Sequence, residues 1–516
     1  MTKVRIFGII FGDIININYG GIMSKSQAVR PFGARDKFGY MMGDFGCNMS
    51  FQLVSNYLML FMTQGMGLSV LDWGIIVVLA KIFDAINDPI IGALVDSSKV
   101  GKMGKYRPWI FYGAFAIALT TLLLFIDIRA FSYAGKFAYC LGMYCVWSIA
   151  YTAANVPYGS LNAALTDDPV QRTSLSSLRS IGAGIAVAPI MVIAPKILYG
   201  EKDLVTGIQP IIPENFIWIA LVCAVIGILG FMLTVALTKE RTVVTQKAEK
   251  FNYFKTLGAF LKNRAALGMC LASFSQLVFV MSYGTLLPLV CQLVFGNGSD
   301  SGMVGMVMML PMMAIIPFMS KLSKKFGKKE ISMWPCLVAI AVLAIMLFIP
   351  FPKNDTGMWI YAALLGVTML ASGPFTLGTW SMVADCVDEQ EIQTGRREEA
   401  SVYATYSLAR KIAQGAGAGF IAVLLALVGY NADNISGLTP QTIQSILDLS
   451  IILPLIGNIL IFLVFFFIYN LSKDKVNANY EFLKKKHAGE GNSTDTDGEN
   501  VEVPEIALAV EAHLED

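Results

Sequence analysis

Two aspartates one helical turn apart, inside a run of apolar residues, have the type and spacing to do chemistry. The stretch KIFDAINDPIIG places Asp84 and Asp88 at i and i+4 on one helix face, with Asn87 on the flank and Lys81 one turn earlier. Each charge held at mid-bilayer costs roughly 2.5–3.5 kcal/mol on the insertion scale. The pair therefore needs a neutralising partner: a proton, a metal cation or a basic side chain. Two carboxylates this close are costly to ionise together at low dielectric, and a visiting Na⁺ or H⁺ relieves that strain. This is the physics of a coupling-ion site; a structural ion pair with Lys81 is the simpler alternative. Pro89 kinks such a helix and frees carbonyl oxygens that can act as further ligands.

Other polar residues recur at spacings that would line a solute path. Asp44, Asn48, Gln52 and Asn56 follow every four residues in GDFGCNMSFQLVSN. YTAANVPYGSLN puts Thr152, Asn155, Tyr158, Gly159 and Asn162 close to one face. Downstream come Arg179, Trp380, Asp385, Ser407 and the pair Arg410–Lys411. Asn48, Gln52, Asn155, Tyr158, Arg179 and Trp380 suit a polyhydroxylated solute, Trp380 by stacking on a sugar ring. Lys411 is a candidate counter-ion for Asp84 or Asp88, and Ser407 and Asp385 are grouped with it as coupling residues. The plainer alternatives are interhelical hydrogen-bond glue for the first stripe, an interfacial snorkelling role for Arg179, and packing for Trp380.

The elements that must position these groups are membrane helices. Of 516 residues 55% are hydrophobic and only 15% charged, against about 25% charged in soluble proteins, and the mean hydropathy is +0.60. Twelve spans are expected, near 40–65, 70–96, 108–128, 136–160, 177–198, 214–238, 265–294, 302–321, 331–350, 358–384, 402–428 and 446–470. Segments after the even-numbered spans up to the tenth hold about nineteen lysines and arginines, and the opposite loops about five. That bias puts the first set and both termini in the cytoplasm. The expected fold is an all-α polytopic membrane protein with twelve helices in two six-helix halves.

The halves are residues 37–238 and 265–472, divided by a central cytoplasmic loop at 239–264. GKMGKYRP after span two echoes KLSKKFGKKE after span eight. LRSIGAGIAVAP in span five echoes ARKIAQGAGAGFIAV in span eleven, small-residue stretches that let helices approach closely. A repeat of this kind places a transported solute near the midplane, between the halves. The charged loop DSSKVGKMGKYRPW is expected to lock the two bundles in one state and release them in the other. Residues 1–36 read as an extension, and Met23 as the more natural start. Residues 473–516 read as a short basic helix followed by a disordered acidic tail.

Composition also excludes functions. The only histidines, His487 and His513, lie in the tail, so a histidine relay or histidine-ligated metal within the membrane is ruled out. The eight cysteines lie singly in apolar runs and read as packing residues, with no metal-type spacing. No nucleophile–base pair lies in the spans, which argues against an enzyme. No basic patch of the nucleic-acid kind stands out.

The motifs GYMMGDFGCN, KIFDAINDPIIGALVD, GKMGKYRPWI, YTAANVPYGSL and ADCVDEQEIQTGRREEASVYATYSLARKIAQG, spread over about residues 37–430, together resemble the glycoside–pentoside–hexuronide cation symporter family of the major facilitator superfamily. The resemblance implies the major facilitator fold and symport of a glycoside, pentoside or hexuronide with Na⁺ or H⁺ by a monomer in the cell membrane, without a bound cofactor. It implies that Asp84, Asn87 and Asp88 bind the cation with Thr152 adjacent, that Arg179 contacts the sugar, and that Lys411 lies close to the cation. Asn48 and Asn155 stand where the family's melibiose carrier has galactoside-gripping aspartates, and Gly159 where it has a stacking tryptophan. Melibiose is therefore not the expected substrate. A carrier of organic anions or lipid-like solutes, and a transport-dead solute sensor, are the competing readings.

Overall fold

A backbone in lipid must satisfy its own hydrogen bonds, and long single segments do so as helices. The computed structural model describes residues 30–166, 168–241, 263–395 and 399–490. Among these residues the structure is helical apart from turns and two isolated bridges. The first half comprises α1 (Ala34–Leu60), α2 (Val70–Ser97), α3 (Arg107–Leu124), α4 (Tyr133–Leu165), α5 (Pro169–Leu198) and α6 (Asn215–Leu237). The seventh pass is broken: α7 (Arg264–Val278) and α8 (Tyr283–Leu293) flank a 3₁₀ turn. The eighth breaks around Pro317 into α9 (Ser301–Ile315) and α10 (Met319–Phe326). Then follow α11 (Lys328–Met346), α12 (Asp355–Thr394), α13 (Glu399–Leu427), α14 (Pro440–Phe467) and α15 (Lys473–Glu490).

Among the described residues, ten passes are long and apolar enough to cross a membrane by length and composition. The other two are α1 and α2, which carry the polar stripe of Asp44 and the Asp84–Asp88 pair. Their polarity is the price of the site they build.

Within the first half α1 packs on α5 and α6, α3 on α4 and α6, and α2 on α4. The second half repeats this with α9 and α11 against α12, and α7 against α13 and α14. The halves meet along α2–α13 and α5–α9. In each interface the second pass of one half meets the fifth of the other, as a repeat requires. Small residues bring these helices together. Gly74 of α2 faces Ala422 and Gly419, and Gly415 faces the Lys81 stem. Gly302 of α9 lies so close to the Met191 carbonyl of α5 that a Cβ there would collide with it.

The halves are closed at the end carrying the loops with few basic residues. There Gln64 donates to Gln292 at 2.9 Å and to the Tyr430 hydroxyl at 3.0 Å. Gln292 donates to the Gln209 carbonyl at 2.8 Å, and the Ser299 N–H to the Gln209 side chain at 2.9 Å.

Among the described residues, the hydrogen bonds of the loop between α2 and α3 run within the loop and to the end of α6 and the segment just past it. Glu240, just past α6, accepts the backbone N–H groups of Lys105, Tyr106 and Arg107 at 2.7, 2.9 and 3.0 Å. A carboxylate is favourable there because these are orphan donors at the start of a helix. Arg107 Nε returns a bond to the Val235 carbonyl at 3.0 Å.

At the chain's other end, α15 is docked on α12. Lys475 pairs with Glu389 at 2.8 Å, Asn479 donates to Glu389 at 2.7 Å, and Lys486 lies 3.8 Å from Glu391. The proposed extension falls mostly on residues 1–29, and the acidic tail on 491–516; both lie outside the described residues, as does most of the central loop.

Candidate functional site

α2 runs through Pro89 without a break, so Asp84 and Asp88 stay in register one turn apart. α4 presents Ser148 and Thr152 at the same spacing. The two helices form a two-rung ladder: Ser148 donates to Asp84 Oδ1, and Thr152 to Asp88 Oδ1 at 2.9 Å. Each aspartate gives its other oxygen to a lysine. Lys81 Nζ reaches Asp84 Oδ2 at 3.2 Å, and Lys411 of α13 pairs with Asp88 Oδ2. Asn87 is 7% exposed and its side-chain nitrogen has no partner.

This cluster is rich in oxygen donors: two carboxylates, two hydroxyls and one amide. Oxygen donors suit a hard cation or a proton. The lysines hold the same carboxylate oxygens that a cation would use. The Asp88–Lys411 pair also spans the α2–α13 interface, so it ties carboxylate occupancy to the relation between the halves. Ser407 lies one turn before Lys411 on the same face of α13, half-buried.

The second cluster belongs to the first half. Arg179 of α5 donates through Nε to Asp44 Oδ1 of α1 at 3.1 Å and through Nη2 to Asn155 Oδ1 of α4 at 3.3 Å. Asn48 donates to Asp44 Oδ2 at 3.1 Å and to its carbonyl at 2.9 Å. Three helices thus meet at one guanidinium, leaving Asn48, Asn155 and Arg179 half-buried. Along the α1 stripe each asparagine bonds to the residue one turn earlier: Asn48 to Asp44, and Asn56 to Gln52 at 2.8 and 3.1 Å. These bonds are intrahelical. Gln52, half-buried, is the partner of Asn56 in this arrangement.

Tyr158 departs from the expected solute face. It is 0% exposed, stacked on Tyr40 at 4.8 Å and donating to the Tyr40 carbonyl at 2.7 Å. Its ring carries the Arg179 guanidinium at 5.2 Å. It therefore supports Arg179 from beneath, in a gap left by Gly43, where a Cβ would strike the ring.

Asp385 also stands apart from the coupling cluster. Lys328 at the start of α11 donates to both of its oxygens at 2.7 and 2.8 Å. This ties α11 to α12 within the second half.

Trp380 is 49% exposed. It meets Tyr406 edge-to-face at 5.4 Å and holds the Arg410 guanidinium over its ring at 5.5 Å. Sequence reasoning missed Ser148, the hydroxyl that the i−4 spacing from Thr152 would have indicated, and Asp44 as the partner of Arg179.

A two-half helix bundle with polar clusters at and beside the seam is the architecture of a carrier. Residues 39–473 match the model of the MFS/sugar transport protein family. The chain belongs to that family: it is a sugar-type transporter of the major facilitator superfamily and not an enzyme. It is 28% identical over 457 residues to an uncharacterized symporter of Bacillus subtilis (strain 168), covering 86% of this chain and 94% of that protein. It is 26% identical over 440 residues to a glucuronide carrier protein homolog of Escherichia coli (strain K12), covering 85% of this chain and 92% of that protein. Among solved structures it superposes on a D-xylose–proton symporter with a TM-score of 0.58 at 14% identity, covering 86% of this chain and 98% of that one. That likeness concerns the fold.

Proposed function

We propose that this protein is a secondary active transporter that brings a glycoside, pentoside or hexuronide into the cell together with Na⁺ or H⁺. The observation that carries this reading is the Asp88–Lys411 pair across the seam, with Thr152 on the remaining oxygen. A cation entering the cluster of Asp84, Asn87, Asp88, Ser148 and Thr152 competes with Lys411 and Lys81 for the same oxygens. Displacing Lys411 loosens α2 from α13, so cation binding favours one arrangement of the halves over the other. A ligand shifts a conformational equilibrium only through such a difference in affinity between the states.

Substrate lies between the halves near Arg179, Asn48, Asn155 and Gln52, with Trp380 opposite. Transport proceeds by rocking of the halves about this centre. The lysine and arginine bias of the loops makes the closed end the outer one, so this conformation opens to the cytoplasm, with the termini on the same side in the cell membrane. The working unit is one chain.

The test is Asp84→Asn and Asp88→Asn in proteoliposomes, comparing counterflow with gradient-driven uptake of a glycoside panel with and without Na⁺. The expected result is loss of accumulation with some exchange retained. Normal accumulation in both variants would make the aspartates structural and place coupling elsewhere. Movement only out of the vesicle interior, whichever way the gradient points, would make the protein an exporter.

A further inference from the structure

The basic side chains of the membrane interior do not all have acids. Lys81 is matched by Asp84, Lys411 by Asp88 and Arg179 by Asp44. Arg410 of α13 is the exception: among the described residues it has no carboxylate partner. Its guanidinium rests instead on two rings, 5.5 Å from the Trp380 centroid and 5.9 Å from that of Tyr406. Tyr406 is buried and hydrogen-bonded to the Ser273 hydroxyl of α7, so this support is fixed. A guanidinium is held over an aromatic face by its positive charge; Arg410 also hydrogen-bonds the Tyr406 side chain, which leaves its remaining N–H groups for a planar anion. Arg410 is half-buried. Facing lipid would be expensive for an unmatched charge, which favours a place on the inner side of the bundle.

The position matters as much as the charge. Arg410 adjoins Lys411, the residue that reaches across to Asp88, but points about 100° away from it around α13, toward Trp380 and Tyr406 of its own half. In the first half Arg179 is neutralised by Asp44 and presents polar edges more than net charge.

We infer that Arg410 and Trp380 form the second-half wall of the substrate site and that the substrate is an acidic sugar, its anionic group on Arg410 and its ring against Trp380. This rests on the transport reading above and narrows its substrate class. The first half then reads hydroxyls through Asn48, Asn155 and Arg179, and the second half reads the charge. A hexuronide carboxylate and a sugar sulfonate share the required chemistry. The planar carboxylate fits the guanidinium edge with two parallel bonds.

The experiment uses the full-length protein in proteoliposomes and three methyl β-D-glucosides that differ only at C6: hydroxymethyl, carboxylate and sulfomethyl. Half-saturating concentrations are measured by uptake. The wild type should favour at least one acidic sugar over the neutral one by about tenfold or more, the size expected for a charge-assisted bond in a half-buried site. Which acidic sugar is favoured identifies the group. Arg410→Gln should bring that ratio to within about threefold, and Arg410→Lys should fall between. If Arg410→Gln does not reach the membrane, the wild-type ratio and Arg410→Lys decide alone. A wild type that takes the neutral sugar as well as the acidic ones overturns the inference and leaves sugar transport standing. So does an Arg410→Gln ratio equal to the wild type's. Movement of none of the three counts against both.

Discussion

Lys411 of α13 is ion-paired with Asp88 of α2 across the seam between the halves, on the oxygen that Thr152 does not use. On the proposed symport reading, a lysine in this position competes with the coupling cation. Lys411→Gln removes the competitor and should raise cation affinity about tenfold, in line with a charged hydrogen bond of about 1.5–3 kcal/mol. Net accumulation should slow, because the pair that draws α2 onto α13 without a cation is gone. Lys411→Arg should preserve coupling in part. The check is the Na⁺ and pH dependence of sugar binding; weaker cation binding in Lys411→Gln would mean that the lysine builds the site and does not compete for it.

The ladder between α2 and α4 gives a second prediction. Thr152→Val keeps the shape and removes one hydroxyl, and Ser148→Ala does the same for Asp84. Each should weaken cation binding by about tenfold while sugar exchange continues. The two share one cluster, so the double variant should fall short of the product of the singles. Titration of cation-dependent sugar binding in the four proteins measures this.

Much of this site was legible in the sequence because its spacing is local. Asp84 and Asp88 share a face by helix geometry, and the expectation of twelve helices follows from hydropathy. What was not legible depends on partners far along the chain. The acid of GDFG is visible as part of a stripe, but nothing local ties Asp44 to Arg179, 135 residues away. Tyr158 lies in a polar stretch and reads as a cavity residue until the gap at Gly43 and the ring of Tyr40 are seen. Asp385 is grouped with Lys411 as a coupling residue from the sequence alone, yet Lys328, 57 residues earlier, holds it. The loop after α2 is recognisable by its glycines and basic residues; that Glu240, more than 130 residues on, accepts its backbone N–H groups is not.

Closure at the end with few basic residues rests on small residues, which gives a third prediction. A Cβ at Gly302 would run into the Met191 carbonyl, a backbone atom that cannot step aside. Gly302→Val should therefore weaken the α5–α9 contact and shift the population toward opening at that end. Distances between spin labels on that end of the two halves should lengthen, with no comparable change for Gly184→Val, which has open space around it. An unchanged distance distribution would show that closure does not depend on this approach.

The loops at the same end carry a prediction for pH. Asp127 is held below the ordinary carboxylate range, chiefly by the Arg129 side chain. Glu214 is held below it by its own backbone N–H and by Arg129. A carboxylate depressed in the folded state contributes stability above its unfolded value, about 4, and loses it as pH falls through the folded value. Arg129→Gln should lower the melting temperature slightly at pH 7, because the groups are exposed and screened. The gap to wild type should close below about pH 4. A gap that persists in acid would mean that Arg129 acts by packing.

The docked terminal helix gives the last prediction. Glu389 and Glu391 of α12 are buried, at 4% and 3% exposure. Glu389 is satisfied by Lys475 and Asn479 from α15 and by Gln393 from its own helix at 3.0 Å. Removing residues 473–516 takes away the two α15 partners and leaves the carboxylate in its buried place. Losing charged hydrogen bonds there should cost about 1.5–3 kcal/mol of stability. Glu389→Gln in the truncated chain should recover much of this, because the uncompensated charge is gone, whereas in the full chain it should destabilise by stranding Lys475. That reversal of sign is the diagnostic, read from melting temperatures of the four proteins in one detergent. If Glu389→Gln has the same effect with and without α15, the contacts to Lys475 and Asn479 contribute nothing, and α15 stays on α12 for other reasons.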